Sequence, residues 1–142
     1  MKLANYELVF LYKILYSLEL SGKKSRMRTR FCKLLEERVN EINDERDKLF
    51  RQYAKYDEQG QIVTEKNEQG LLEVVFSDPV SLDKELEILI REDFILDEVE
   101  ERKETLLTVS DIILNIDMQF SKQDAAIYDR CCEAFENLSY TK

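Results

Sequence analysis

The 142-residue chain contains no histidine and no tryptophan, and it has only three glycines and one proline. Histidine is the commonest general base and the commonest transition-metal ligand in proteins. Its absence excludes a Ser-His-Asp or Cys-His catalytic site within one chain. Hairpins need residues that adopt positive φ angles, and a chain this poor in glycine is rarely all-β. These absences predict a mainly α-helical protein, and we expect that it is not an enzyme.

Cysteine is also scarce, since the chain has only Cys32, Cys131 and Cys132. Side chains of adjacent helical residues point about 100° apart, so Cys131 and Cys132 cannot form a disulfide without distortion. Three cysteines also cannot supply the four thiolates of a structural zinc site. We therefore expect Cys131 to be a core thiol, and we expect neither a metal nor another cofactor.

The chain shows no long hydrophobic run of the kind that crosses a membrane. Its N-terminal apolar stretch is interrupted by Glu7, Lys13 and Glu19. That stretch also lacks the basic lead-in and the small-residue cleavage site of a signal peptide. Because the cysteines form no disulfide framework, the sequence favours a cytoplasmic protein in a reducing compartment.

Acidic residues outnumber basic ones, which gives a formal net charge of −9. The two signs are unevenly distributed, because residues 1–56 carry a net +5 and residues 57–142 carry a net −14. Two regions of opposite sign attract each other, either within one chain or between copies of it.

The hydrophobic pattern predicts five helices. Residues 3–20 are apolar on most sides, which is typical of a buried helix. From Ser25 to Tyr56, apolar residues recur at three- and four-residue steps without Gly or Pro, which predicts one helix of about 48 Å. A compact domain of this size is narrower than that, so we expect this helix to protrude or to be covered by another helix or subunit. The predicted helices span about 3–20, 25–56, 79–92, 99–119 and 122–138.

A small β insertion is predicted at about residues 57–98. Gly60 and Gly70 bracket a short polar stretch, and apolar and polar residues alternate after Gly70. Together these features indicate a hairpin at about 61–76. A short strand at 94–98 is expected to join it. A calcium loop starting at Asp57 is excluded because Ile62 stands where such a loop needs glycine. We expect no internal repeat.

The expected architecture is therefore mainly α: an elongated helical bundle with a long second helix and a small insertion of short strands. One domain should cover residues 1–142, because chains of this length form a single core.

The segment Ser21–Arg30 carries five positive charges and no negative ones. We expect Gly22 to cap the first helix in a left-handed conformation and Ser25 to begin the second. Positive charge at a helix N-terminus opposes the macrodipole, so an anion should compensate it. Arg28 is borderline between the buried and exposed faces. The candidate anion- or partner-binding residues are Lys23, Lys24, Arg26, Arg30 and Lys33.

Three of these candidates, Arg26, Arg30 and Lys33, fall on one exposed stripe because they are spaced as i, i+4 and i+7. The compensating anion is either a phosphate backbone or the acidic half of the chain, in the same copy or another. The string GKKS is not a phosphate-binding loop, because Ser17 stands where that motif needs its first glycine. The one aromatic residue among these cations is Phe31, which we expect to face the core, so single-strand binding gains no support. We therefore favour the internal or intersubunit interpretation over nucleic acid.

Four strings carry a resemblance that covers nearly the whole chain. They resemble an uncharacterised protein family that is encoded by phages and prophages of Gram-positive bacteria. The resemblance implies a small phage accessory protein, but it implies no activity and no catalytic residues. The strings are MKLANYEL, SGKKSRMRTRFCKLLEERVNEI, FILDE and YDRCCEAFENL.

These observations predict a non-enzymatic protein that acts by protein–protein interaction. Its partner is expected to be a phage or host protein, and it serves either as an assembly factor or as a modulator or inhibitor of a host protein. In the second role, the acidic surface of residues 57–104 could mimic nucleic acid. Self-association into a homo-oligomer is a further option. The alternative function is a nucleic-acid-binding module that uses the basic segment 23–33.

Overall fold

The computed structural model describes residues 1–140, and the chain in that range is mainly helical. This confirms the predicted fold class, with its long second helix and its small β insertion. The elements in chain order are β1 (Lys2–Ala4), α1 (Asn5–Ser17), α2 (Gly22–Tyr53), β2 (Thr64–Lys66), β3 (Leu72–Val74), α3 (Pro79–Arg91), β4 (Asp93–Ile95), a 3₁₀ turn (Glu100–Arg102), α4 (Lys103–Leu114) and α5 (Lys122–Glu136).

Contacts divide the chain into two compact units. Unit 1 combines Met1–Asn40 with the chain from Arg91 onward, and unit 2 is Glu41–Ile90. Helix α2 contributes its first part to unit 1 and its last part to unit 2.

The core of unit 1 is built by β1, α1, the start of α2, α4 and α5. Its largest contacts include the rings of Phe31 on α2 and Phe135 on α5, whose centres lie 5.6 Å apart. Burying a large apolar side chain of this kind contributes about 1.5–3 kcal/mol. The fully buried apolar side chains are Leu3, Leu8, Leu11, Leu15, Met27, Phe31, Leu35, Leu106, Val109, Ile113 and Phe135.

The first predicted helix begins later than expected, because Lys2–Ala4 form a strand. This strand pairs antiparallel with Asp93–Ile95, and Leu3 lies opposite Phe94. The short strand predicted at 94–98 therefore belongs to a sheet in unit 1 and does not join the hairpin. The sequence pattern could not show this, because the partner strand lies about 90 residues away along the chain.

The predicted role of Gly22 as a cap of the first helix is wrong. Helix α1 ends at Ser17, and Leu18 after it is extended. Gly22 is instead the first residue of α2, where its φ is +57°. The left-handed conformation was correctly expected from glycine. It serves the entry into α2 instead, so Ser25 lies inside the helix.

In unit 2, α2 ends at Tyr53, before the predicted end at Tyr56. Ala54 bridges Phe76, and the Lys55 N–H donates to the Val75 carbonyl at 2.8 Å. The chain leaves the helix because its backbone groups find partners in the following strand segment. The predicted hairpin is confirmed, with Leu72–Val74 antiparallel to Thr64–Lys66.

Two turns of equal geometry lie ten residues apart in unit 2, contrary to our expectation of no repeat. In the first, the Asp57 carboxylate accepts the N–H groups of Gln59 and Gln61, both at 2.9 Å. In the second, the Asn67 side chain accepts the equivalent N–H groups at 2.9 and 3.0 Å. The shared string Glu-Gln-Gly after an Asp or Asn was the signal, since such side chains stabilise turns locally.

The helix predicted at 99–119 is shorter, because α4 ends at Leu114 and a 3₁₀ turn precedes it. The Asn115 side chain donates to the Asp111 carbonyl at 2.7 Å, which satisfies one of the last carbonyls of α4. Phe120 lies in the connection that follows α4 and stacks on Tyr128 with ring centres 4.6 Å apart. Ser121 precedes α5, and its hydroxyl makes no capping hydrogen bond.

Replacing Leu106 by alanine should lower the free energy of unfolding by about 2–5 kcal/mol, because the truncation leaves a cavity in the core. Its neighbour Leu107 is 39% exposed, so Leu107→Ala is a matched control that should lose far less. Urea denaturation followed by circular dichroism measures both losses. Equal losses would contradict the assignment of the buried face of α4.

Candidate partner-binding surface

Arg28 joins the end of α1 to the first turns of α2. Its Nη1 donates hydrogen bonds to the carbonyl oxygens of Leu15 and Leu18, at 3.0 and 2.7 Å. Its guanidinium also lies 5.4 Å from the centre of the Tyr16 ring. A cation at this position satisfies carbonyls that a helix end leaves without partners, and it matches the negative end of the α1 dipole. The guanidinium of Arg28 is therefore already hydrogen-bonded within the chain.

Lys23 and Lys24, at the start of α2, form ion pairs with acidic residues of α4. The Nζ of Lys23 lies 3.0 Å from Oε1 of Glu104, and the Nζ of Lys24 lies 3.7 Å from Oδ2 of Asp111. All four side chains are more than half exposed, so water screens both attractions strongly. Two of the five candidate cations thus meet the acidic half of the same chain.

The pKa of Glu104 lies below the ordinary value of a glutamate carboxyl. The hydrogen bond and the positive charge of Lys23 are the main causes, and the charges of Arg30 and Arg26 add to them. Because the folded pKa is lowered, the contribution to stability is present above the unfolded pKa. It is lost as the pH falls through the folded pKa. The pKa of Glu104 is therefore a measure of the positive charge around this carboxylate.

The other three candidates, Arg26, Arg30 and Lys33, are exposed on one face of α2. Within residues 1–140, Arg26 and Lys33 make no hydrogen bond or ion pair, and the guanidinium of Arg30 lies 4.0 Å from the sulfur of Met27. The structure therefore separates the five candidates into two lysines that form ion pairs with α4 and three cations that form none.

The opposite face of the same turns is anchored in the core of unit 1. Met27, Phe31 and Leu35 are almost completely buried. The sulfur of Met27 accepts a hydrogen bond from the buried Thr105 hydroxyl of α4, at 3.4 Å. Because these side chains fix the orientation of α2 about its axis, the 3.6-residue periodicity places the three cations on the exposed side.

The chemistry available to this surface is ion pairing and hydrogen bonding to anionic groups. Arginine and lysine present only donors and stay charged at neutral pH. Across the described part of the chain, no three histidine, cysteine, aspartate or glutamate side chains are placed to hold a metal ion. No helix of residues 1–140 has the length and apolar character that are needed to cross a membrane.

The cysteines lie apart from this surface, and Cys131 is a core thiol as expected. Cys32 and Cys131 are fully buried, whereas Cys132 is partly exposed. Burial raises the pKa of Cys32 to about 11 and the pKa of Cys131 to about 12. Both thiols therefore stay protonated at neutral pH, where only a thiolate is a good nucleophile.

Sequence reasoning missed Glu7, which it treated only as a charge that interrupts an apolar run. Its side chain is 3% exposed and is paired with the Nε of Arg130 on α5. It also accepts the Ala4 N–H at 2.9 Å. A glutamate three residues after the position that precedes a helix is a capping signal. That signal was hidden because the helix was predicted to begin at residue 3.

Replacing Lys23 by methionine should raise the pKa of Glu104 toward its ordinary value, because its main hydrogen bond and nearest positive charge are removed. Lys33→Met is the matched control and should leave this pKa nearly unchanged. Carboxyl-detected NMR titration of each variant measures the shift. An unchanged Glu104 pKa in Lys23→Met would contradict the ion pair between α2 and α4.

A thiol reagent should label one cysteine faster than the other two in the native protein and all three in urea. The faster site should be Cys132, because it is partly exposed whereas Cys32 and Cys131 are fully buried, although burial raises the pKa of Cys132 as well. Mass spectrometry of the labelled peptides at neutral pH identifies the sites. Rapid native labelling of Cys131 would overturn its placement in the core.

No family model, no curated protein and no solved structure matches this chain. The family resemblance and the phage origin that it implies therefore stay predictions. The start of α2 presents two lysines that are paired with α4 and three cations that form no ion pair within residues 1–140.

Proposed function

We propose that this chain is a small, non-enzymatic phage or prophage accessory protein that acts by protein–protein contact. The observation that carries the proposal is the pairing of Lys23 and Lys24 with Glu104 and Asp111 of the same chain. It leaves three cations for an external anion in a protein whose net charge is −9. A partner protein that contacts a local surface fits this charge distribution better than a nucleic acid does.

Nucleic-acid binding is the weaker alternative for a physical reason. Affinity for a phosphate backbone rises with the number of phosphates that are neutralised. Three exposed cations, with acidic side chains of α4 beside them, supply few such contacts. Arg28, the sixth cation of the 23–33 segment, donates to the carbonyls of α1 and is not available either.

The hairpin of unit 2 supplies apolar surface that a protein partner could cover. Leu71 and Leu72 are 63% and 68% exposed, and all residues of β2 and β3 are exposed. A two-stranded hairpin is marginally stable by itself in water, so further packing would stabilise it. Exposed apolar clusters of this kind are typical of contact sites between proteins.

The partner is a phage protein in the assembly version of this proposal and a host protein in the modulator version. In the modulator version, the acidic surface of residues 57–104 takes the place of nucleic acid on a host protein that binds it. Both versions leave the protein without a chemical step of its own.

In the test, the protein is titrated into labelled double-stranded DNA, single-stranded DNA and RNA. We expect no saturable binding at about 50 mM or about 200 mM salt, because too few phosphates are neutralised. Fluorescence anisotropy measures the binding. If the wild type binds with a steep salt dependence and Arg26→Glu/Arg30→Glu does not bind, the nucleic-acid alternative replaces the proposal.

The protein-contact arm compares capture by the wild type and by Leu71→Asp/Leu72→Asp from lysates of infected and uninfected host cells. We expect a partner that the wild type retains and this variant loses. Gln61→Asp is the matched control, since Gln61 occupies in the first turn the place that Leu71 occupies in the second. Identical capture by all three proteins would exclude the hairpin as the contact surface.

A further inference from the structure

One face of α2 carries a row of six exposed polar residues whose charges change sign halfway. Their successive spacings are four, three, four, three and four residues, so they lie on one face of the helix. Three cations come first, followed by two carboxylates and an amide. We call this set the α2 row: Arg26, Arg30, Lys33, Glu37, Asn40 and Asp44.

The order of these charges is unfavourable within a single helix. Arg26 lies next to Arg30, and Arg30 lies next to Lys33, so like charges repel on adjacent turns. Among the described residues, Arg26, Lys33, Glu37 and Asp44 make no hydrogen bond or ion pair. Compensation inside the chain is partial: Lys33 and Glu37 lie one helical turn apart and attract each other, and the charges of Arg26 and Arg30 act on Glu104 of α4.

We propose that the α2 row is the seam of a homodimer in which two α2 helices lie antiparallel. In an antiparallel pair, residues that face each other have numbers with a constant sum. A sum of 70 places Arg26 opposite Asp44, Arg30 opposite Asn40, and Lys33 opposite Glu37 of the second copy. One register thus brings each cation of the row to a carboxylate or an amide oxygen.

The symmetry of the row supports a second copy as its occupant. A two-fold interface uses the same patch on both subunits, so each of these contacts occurs twice. The axis lies at the level of Leu35, whose side chain is fully buried on the opposite face of α2. Antiparallel helices also place the positive end of one dipole beside the negative end of the other.

The seam should be weak and sensitive to salt. From Arg26 to Asp44 it runs about 27 Å along the helix, and all of its contacts are charged or polar. Exposed ion pairs are screened by salt and add little affinity individually. They mainly determine register and orientation. We therefore expect a reversible dimer that dissociates at high ionic strength.

This inference is independent of the proposed accessory function. If the protein stays monomeric, the α2 seam is excluded, but the proposed partner contact at the hairpin is not affected. Conversely, capture experiments that find no partner would not affect self-association.

Two charge-reversal variants test the seam by sedimentation velocity at low and high salt. Arg26→Glu/Lys33→Glu leaves Arg30 as the one cation of the row, and Glu37→Lys/Asp44→Lys leaves the row without a carboxylate. The wild type should associate at low salt and dissociate at high salt. The association constant of each variant alone should be at least about tenfold lower than that of the wild type, because four attractive contacts become repulsive. An equimolar mixture of the two variants should restore association as a heterodimer.

Lys13→Glu/Lys122→Glu is the matched control, since it makes the same charge change at exposed positions outside α2. It should associate like the wild type. Circular dichroism of each variant establishes that it is folded, and the mixture restores association only if both variants are. A wild type that is monomeric at low salt overturns the proposal. A mixture that stays monomeric overturns it as well, and so does an Arg26→Glu/Lys33→Glu variant that associates like the wild type.

Discussion

The burial of one side of the first four turns of α2 is the constraint on which the rest of unit 1 depends. This side packs against α4 and α5, through the Thr105 hydroxyl and the Phe135 ring. A core of this density leaves no room for an unpaired charge, so every cation of the segment must leave it or find an acceptor. Arg28 finds the carbonyls of α1. The buried side chains are Met27, Phe31, Cys32 and Leu35.

The opposite signs of the two halves of the chain are only partly compensated in the fold. Lys23 and Lys24 meet acidic residues of α4, and those contacts explain why the acidic half matters for this surface. The cations that follow on α2 form no ion pair within residues 1–140, although the charges of Arg26 and Arg30 still lower the pKa of Glu104 on α4. The charge symmetry of this face is the basis of the homodimer that we propose.

Local patterns predicted those parts of the fold whose hydrogen bonds are local. Helix α3 begins at Pro79, as expected from proline at a first helical position, and α5 begins within its predicted bounds. The errors occur where backbone groups pair with distant segments. Lys2–Ala4 left the predicted first helix because Asp93–Ile95 offered a strand partner, and no local periodicity reports such a partner.

By itself, the sequence determined the helical class, the exposed spacing of Arg26, Arg30 and Lys33, and the burial of Cys131. Each of these follows from composition or from the 3.6-residue period, which are properties of neighbouring residues. Only the tertiary structure decided which charged side chains form ion pairs inside the chain. Glu7 pairs with Arg130 across 123 positions, and Lys23 pairs with Glu104 across 81. Such partners are set by how helices pack, because a long side chain reaches whatever the core places beside it.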